Sequence, residues 1–181
     1  MSRRLRQQET AAPADLSSAL VVAAFGRHCL IETEDGRRLI AHPRGKKNQA
    51  VVGDRVRWQA TGDEASIEGL QARHNLFYRQ DEIRTKSFAA NLDRVLILIA
   101  AEPEFSESQL CRALVAAEAE KITPVIALNK SDLAEPFARA WARLTPYRAM
   151  GYAVLPLALA PRGEAPLDDG LPALLDALRG H

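Results

Sequence analysis

The chain has 181 residues, enough for one large or two small domains, and its 47% apolar content with mixed charges is that of a globular protein able to bury a core. Its 24 basic and 23 acidic residues leave a formal net charge of +1, which excludes a bulk polycation, so any nucleic-acid surface must be a local patch. Cys29 and Cys111 lack metal-ligand spacing, no apolar run reaches membrane-spanning length and no secretory segment follows Arg3, Arg4 and Arg6, which together predict a reducing, cytoplasmic setting without a membrane partner.

Residues 1–18 are polar, basic at the start and then rich in Ala, Ser and Pro, and are expected to form a disordered basic tail. From 19 to 75 the pattern changes to short β-type runs separated by turn residues. Strands are expected at 20–25, 29–33, 38–41, 51–58 and 65–72, with a hairpin turn at Glu34-Asp35-Gly36-Arg37 and a basic loop over 43–49. Five strands in so short a stretch predict a small Greek-key barrel of OB type, a fold whose open face commonly binds single-stranded or folded RNA. Arg37, Arg38, Arg44, Lys46, Lys47, Arg55 and Arg57 fall on one hairpin, one loop and one strand, and form the candidate phosphate-binding stripe. The competing reading is that these cations protect strand edges from aggregation. Phe25 and Trp58 are the only aromatics of the barrel; with Trp58 assigned to the core, recognition through backbone and shape is expected in preference to base stacking.

Residues 76–91 read as a charged linker without apolar periodicity, clustering Arg79, Asp81, Glu82, Arg84 and Lys86. The remainder, 92–181, alternates strand and helix. An apolar strand is expected over 93–101 and a helix over 106–120, opened by a capping box from Ser106 to Gln109 and turned inward on Leu110, Leu114 and Ala117. A buried strand follows over 124–128, a helix over 135–150 closed by Gly151, a strand over 153–158 and a helix over 171–178. This repetition predicts a parallel sheet with right-handed crossovers.

The strand 124–128 runs directly into Asn129-Lys130-Ser131-Asp132, at the carboxyl end where open α/β sheets place their ligands. A carboxylate here can accept two parallel hydrogen bonds from the ring N–H and exocyclic amine of guanine, a match adenine does not offer. The Lys stem can lie along the base and the Asn amide can tie the loop to a neighbour, so Asn-Lys-x-Asp reads as a guanine site. The alternative is a plain strand-to-helix junction in which Asp132 caps the next helix and Lys130 is solvated. No Gly-x-x-x-x-Gly-Lys-Ser/Thr phosphate loop and no Asp-x-x-Gly occur in the sequence.

Three successive stretches carry a family resemblance: Phe88-Ala89-Ala90-Asn91-Leu92-Asp93-Arg94-Val95, Ala101-Glu102-Pro103-Glu104-Phe105 and Ala127-Leu128-Asn129-Lys130-Ser131-Asp132-Leu133. With the Val52-Gly53-Asp54-Arg55-Val56 stretch of the barrel, the chain resembles the ribosome small-subunit-dependent GTPase A family (RsgA/YjeQ) over about 19–181. The resemblance implies an OB barrel followed by the first half of a circularly permuted P-loop GTPase domain, in a monomeric factor of late small-subunit maturation that binds ribosomal RNA. It further implies GTP or GDP with magnesium in the complete protein, hydrolysis stimulated by the ribosome, and zinc in a C-terminal domain beyond this chain. By the same resemblance Asn129, Lys130, Ser131 and Asp132 contact guanine. A second base-contacting loop falls on Ala158 and Leu159, without the hydroxyl the family usually carries there, and an insertion rich in Pro and Gly follows over 160–169. The chain is therefore expected to be an N-terminal portion that does not hydrolyse GTP alone, with the strand 93–101 left at a sheet edge. A non-catalytic module binding RNA or the ribosome is the alternative.

Overall fold

The computed structural model describes residues 16–45, 49–80, 82–159 and 170–180. Lys46 and Lys47, the predicted tail up to residue 15 and the predicted insertion over 160–169 lie outside them. The chain divides into two compact units between His74 and Asn75.

In the first unit, β1 (Ser17–Ala24), β2 (Cys29–Thr33), β3 (Arg38–Pro43), β4 (Arg55–Thr61) and β5 (Glu64–Leu70) close into a barrel in the order β1-β2-β3-β5-β4. Its one parallel pairing joins β3 to β5, and β4 returns to β1. Period-two alternation sends Val21, Cys29, Ile31, Ala41, Val56, Trp58 and Ile67 inward to one core. Burial of each large apolar side chain among them contributes about 1.5–3 kcal/mol. Trp58 is in the core as predicted, with its indole N–H donating to the Ser18 carbonyl at 3.4 Å.

Two boundaries differ from the sequence reading. Ser17 and Ser18, placed in the tail, belong to β1 and pair with Trp58 and Arg57. The predicted strand 51–58 begins only at Arg55, because Gly53 adopts φ +88° and the Asp54 carboxylate accepts the Val51 amide at 2.8 Å, folding 51–54 into a turn. Asp54 is fully buried beneath that turn. Arg73 reaches it with a two-pronged contact, Nε to Oδ1 and Nη2 to Oδ2, both 2.7 Å, and also donates from Nη2 to the Gln49 carbonyl at 2.9 Å. The adjacent carboxylate raises the Arg73 pKa, so this guanidinium is a fixed cation.

The second unit opens with a hairpin, β6 (Leu76–Gln80) and β7 (Thr85–Ala90), where the sequence predicted an irregular linker. A register shift between Phe77 and Tyr78 interrupts the alternation that would have announced the strands. Phe77 and Phe88 nevertheless pack at 6.0 Å, and Lys86 lies 5.5 Å above the Phe88 ring. The buried Asn75 side chain fixes the base of the hairpin, donating to the Leu92 carbonyl at 2.7 Å and accepting the Leu92 amide at 2.8 Å.

Then follow β8 (Arg94–Ala100), α1 (Glu107–Ala119), β9 (Thr123–Asn129), α2 (Ala134–Arg143), α3 (Thr145–Ala149), β10 (Ala153–Pro156) and α4 (Leu171–Leu178). The three strands form a parallel sheet in the order β10-β9-β8. Central β9 buries Val125, Ile126, Ala127 and Leu128, which is why this run is continuously apolar. Ile126 and Leu128 pack with Leu110, Leu114 and Leu144 on one face; Ala127 and Leu157 pack with Leu174 of α4 on the other. Leu110, Leu114 and Ala117 are the buried face of α1, as predicted, and the Ser106 hydroxyl caps it by accepting the Gln109 amide at 3.3 Å. The helix expected over 135–150 breaks at Leu144, since Pro146 starts a new first turn and cannot continue the previous one. Among the described residues β8 pairs only with β9, and Leu98 stays 53% exposed.

Candidate functional site: the loop after β9 and a barrel surface

The apolar run of β9 ends at half-buried Asn129, and the chain then reverses through Lys130, a non-glycine residue at φ +68°. Left-handed backbone costs a lysine about 1–2 kcal/mol, so the surrounding bonds must hold it. Those bonds are main-chain. The Leu133 amide donates to the Lys130 carbonyl at 3.1 Å, the Ser131 amide to the Leu157 carbonyl at 2.9 Å, and the Ala101 amide to the Asn129 carbonyl at 3.1 Å. The Asn129 side chain completes the set by accepting the Leu159 amide at 3.0 Å through Oδ1. The loops after all three strands of the sheet are thereby joined at its carboxyl edge.

Asn129 and Leu159, both predicted from sequence, are brought together directly. Ala158 is buried beside the loop while Leu159 is 43% exposed. Ser131 lies within the loop with its hydroxyl buried and unpartnered among the described residues. Asp132 is exposed and does not cap α2, whose N-cap is Leu133 without any side-chain cap bond, so the plain strand-to-helix junction does not account for this carboxylate. The loop after β8 is braced by Arg143, which donates to the Phe105 carbonyl at 3.2 Å and to Glu107 at 2.9 Å and lies 4.4 Å above the Phe105 ring. A groove of about 310 Å³, lined by Arg94, Thr123, Met150 and Tyr152, sits at the amino ends of the strands and contains none of residues 129–132, 158 and 159.

On the barrel, the predicted cationic stripe divides. Arg37 pairs with Asp35 at 2.6 Å, Arg38 with Glu32 at 2.8 Å and Arg44 with Glu68 at 2.7 Å. The Thr33 hydroxyl, then Arg37, hold Asp35 below the usual carboxylate range; Arg44, then the Ser66 hydroxyl, do the same for Glu68. These exposed pairs offset part of the local positive potential but leave other guanidinium N–H donors open. Arg55 and Arg57 lie on the outer face of β4 without an ion pair among the described residues. Sequence reasoning missed an aromatic group on the same barrel. Phe25, 59% exposed, stacks on His28 at 5.2 Å, and His28 lies 5.9 Å from His42. The available signal was the β2–β3 register, which sets His28 against His42.

A barrel of OB order preceding a parallel sheet, with Asn-Lys-Ser-Asp at the sheet's carboxyl edge and no phosphate loop before it, is the fold of a circularly permuted GTPase. The crystal structure of YloQ, a circularly permuted GTPase, superposes with a TM-score of 0.58 at 26% identity, covering 83% of this chain and 54% of that one. The chain belongs to the RsgA GTPase family, whose model matches residues 70–181. Proteins named small ribosomal subunit biogenesis GTPase RsgA are 74% identical over 150 residues in Variovorax paradoxus and 43% identical over 183 residues in Paraburkholderia phytofirmans. The first match covers 83% of this chain and 47% of the relative, the second 100% and 57%. The chain thus spans about half the length of the relatives it matches. No described helix is long and apolar enough to cross a membrane.

Proposed function

We propose that this chain supplies the guanine-reading loop and the RNA-contacting barrel of a small ribosomal subunit biogenesis GTPase that works as a monomer. The observation that carries the reading is the bond from the Leu159 amide to Asn129 Oδ1, which fixes the two base-contacting loops to each other while Asp132 faces outward. In this reading Asp132 accepts the guanine ring N–H and amine, the Lys130 stem covers the base, and Asn129 and Ser131 hold the loop. The Leu159 amide is engaged by Asn129, which leaves the guanine carbonyl to the Ala158 amide. The exposed faces of Arg37, Arg38, Arg44, Arg55 and Arg57, with Lys46 and Lys47, meet ribosomal RNA phosphates.

Among the described residues no three His, Cys, Asp or Glu side chains gather in one place, so they do not fit the tetrahedral zinc site of the family's C-terminal domain. The triphosphate and its magnesium belong to a phosphate loop that this sequence does not contain. Base contacts alone would leave nucleotide binding near the millimolar range, about 4 kcal/mol. The test compares this chain with the complete protein carrying the family's phosphate loop. The complete protein is expected to hydrolyse GTP faster when small subunits are added, and the 181-residue chain to show no turnover above buffer. Turnover by the short chain, or indifference of the complete protein to small subunits, contradicts the proposal.

A further inference from the structure

The outer face of β2 and β3 carries a surface that the cationic stripe does not explain. Antiparallel register sets Cys29 against Ala41 and Leu30 against Ile40, so the next outward pair is His28 with His42, and their rings lie 5.9 Å apart. Phe25, in the turn between β1 and β2, continues the row by stacking on His28 at 5.2 Å with an interplanar angle of 29°. At the other end of the row His42 Nε2 meets Glu64 Oε2 at 3.3 Å, which ties β3 to the start of β5 after the β4–β5 turn. In an OB barrel the β2–β3 face and the loops joining β1 to β2 and β4 to β5 are where oligonucleotides lie.

Phe25 is 59% exposed while it stacks on His28, so it keeps ring surface open to a planar ligand. A ligand suited to this row is planar and accompanied by negative charge. Arg27, exposed in the same turn and without an ion pair among the described residues, and Arg38 at the far end of β3 flank the row with guanidinium groups. Between them Ile40, 46% exposed, offers an apolar step of the size of a ribose. An RNA duplex keeps its bases stacked on each other and cannot use such a row; an unpaired nucleotide can.

We infer that Phe25, with His28 and His42 behind it, is a stacking platform for an unpaired base of RNA. The inference rests on the RNA-contacting role proposed for the barrel and adds base stacking to what would otherwise be phosphate recognition alone. Phe25 lies outside the barrel core, so its truncation leaves the fold intact, which a thermal melt of each variant verifies.

The experiment measures binding of the full chain to a labelled oligouridylate and to a blunt-ended RNA duplex of two fully paired strands, at one salt concentration. Phe25→Ala is expected to weaken oligouridylate binding by roughly 5- to 150-fold, the range for loss of one base–aromatic stack, and to leave duplex binding unchanged. Phe25→Trp is expected to restore binding, with the new indole quenched by the stacked base. Equal oligouridylate affinity for the wild type and Phe25→Ala overturns the platform and leaves phosphate recognition standing. If the wild-type chain binds neither RNA, the RNA-contacting role itself fails and the platform with it.

Discussion

Asp132→Asn in the complete protein is expected to lower its preference for GTP over xanthosine triphosphate by about a hundredfold or more. The carboxylate accepts two bonds from guanine in the proposed reading, and charge-assisted bonds of this kind contribute roughly 1.5–3 kcal/mol each. An amide in the same place keeps one acceptor and turns an N–H₂ toward the guanine amine, whereas xanthine presents a carbonyl there that the amide can satisfy. Since Asp132 is exposed and takes no part in capping α2, the substitution should leave folding untouched, so the effect is confined to base choice. The measurement is the ratio of kcat/KM for the two nucleotides in wild type and variant. A ratio unchanged by the substitution removes Asp132 from the base site.

The largest stability effect is expected at Asp54. Replacing it by Ala leaves Arg73 without its two 2.7 Å contacts and strips the Val51 amide of its acceptor. Breaking a buried ion pair from one side costs about 3–5 kcal/mol, because the surviving charge stays in a site built for its partner. Arg73→Met combined with Asp54→Leu should recover a good part of that loss, since an apolar pair of similar volume carries no stranded charge. Denaturant unfolding of Asp54→Leu, Arg73→Met and the double variant gives the coupling directly. If Asp54→Ala shifts the midpoint no more than an ordinary surface substitution, the pair does not clamp the turn.

What the sequence revealed and what it concealed follow from the kind of signal each element carries. The run from Val125 to Leu128 was legible because a central parallel strand is buried on both faces and therefore continuously apolar. The barrel was legible through period-two alternation, and Trp58 fell where that alternation placed it. The hairpin of β6 and β7 was not, since the register shift at Phe77 and Tyr78 moves successive side chains off their expected faces and charged residues crowd its turn. Nor was the helix break at Leu144, where a Pro two residues on was tolerable in the first turn of a new helix and went unread as punctuation. At the base loop, sequence supplied the residue types and the strand before them. It could not supply the bond from the Leu159 amide to Asn129, because that contact spans thirty positions and depends on β10 lying beside β9. The aromatic row on the barrel was hidden in part for the same reason: Phe25 and His28 share one turn, but His42 joins them only after β2 and β3 pair.

The loop holding Lys130 at φ +68° is shaped by bonds donated by the Leu133, Ala101 and Leu159 amides and by the Ser131 amide's bond to the Leu157 carbonyl, all within the protein itself. A surface finished before its ligand arrives spends no ordering entropy at the moment of encounter. Correct and incorrect bases should then collide with it at similar frequency, and the choice between them should be made by residence time, with the mismatched base leaving sooner. In the proposed role, fidelity toward guanine is thus a matter of how long the nucleotide stays, and the strained lysine is part of what keeps that clock set between visits.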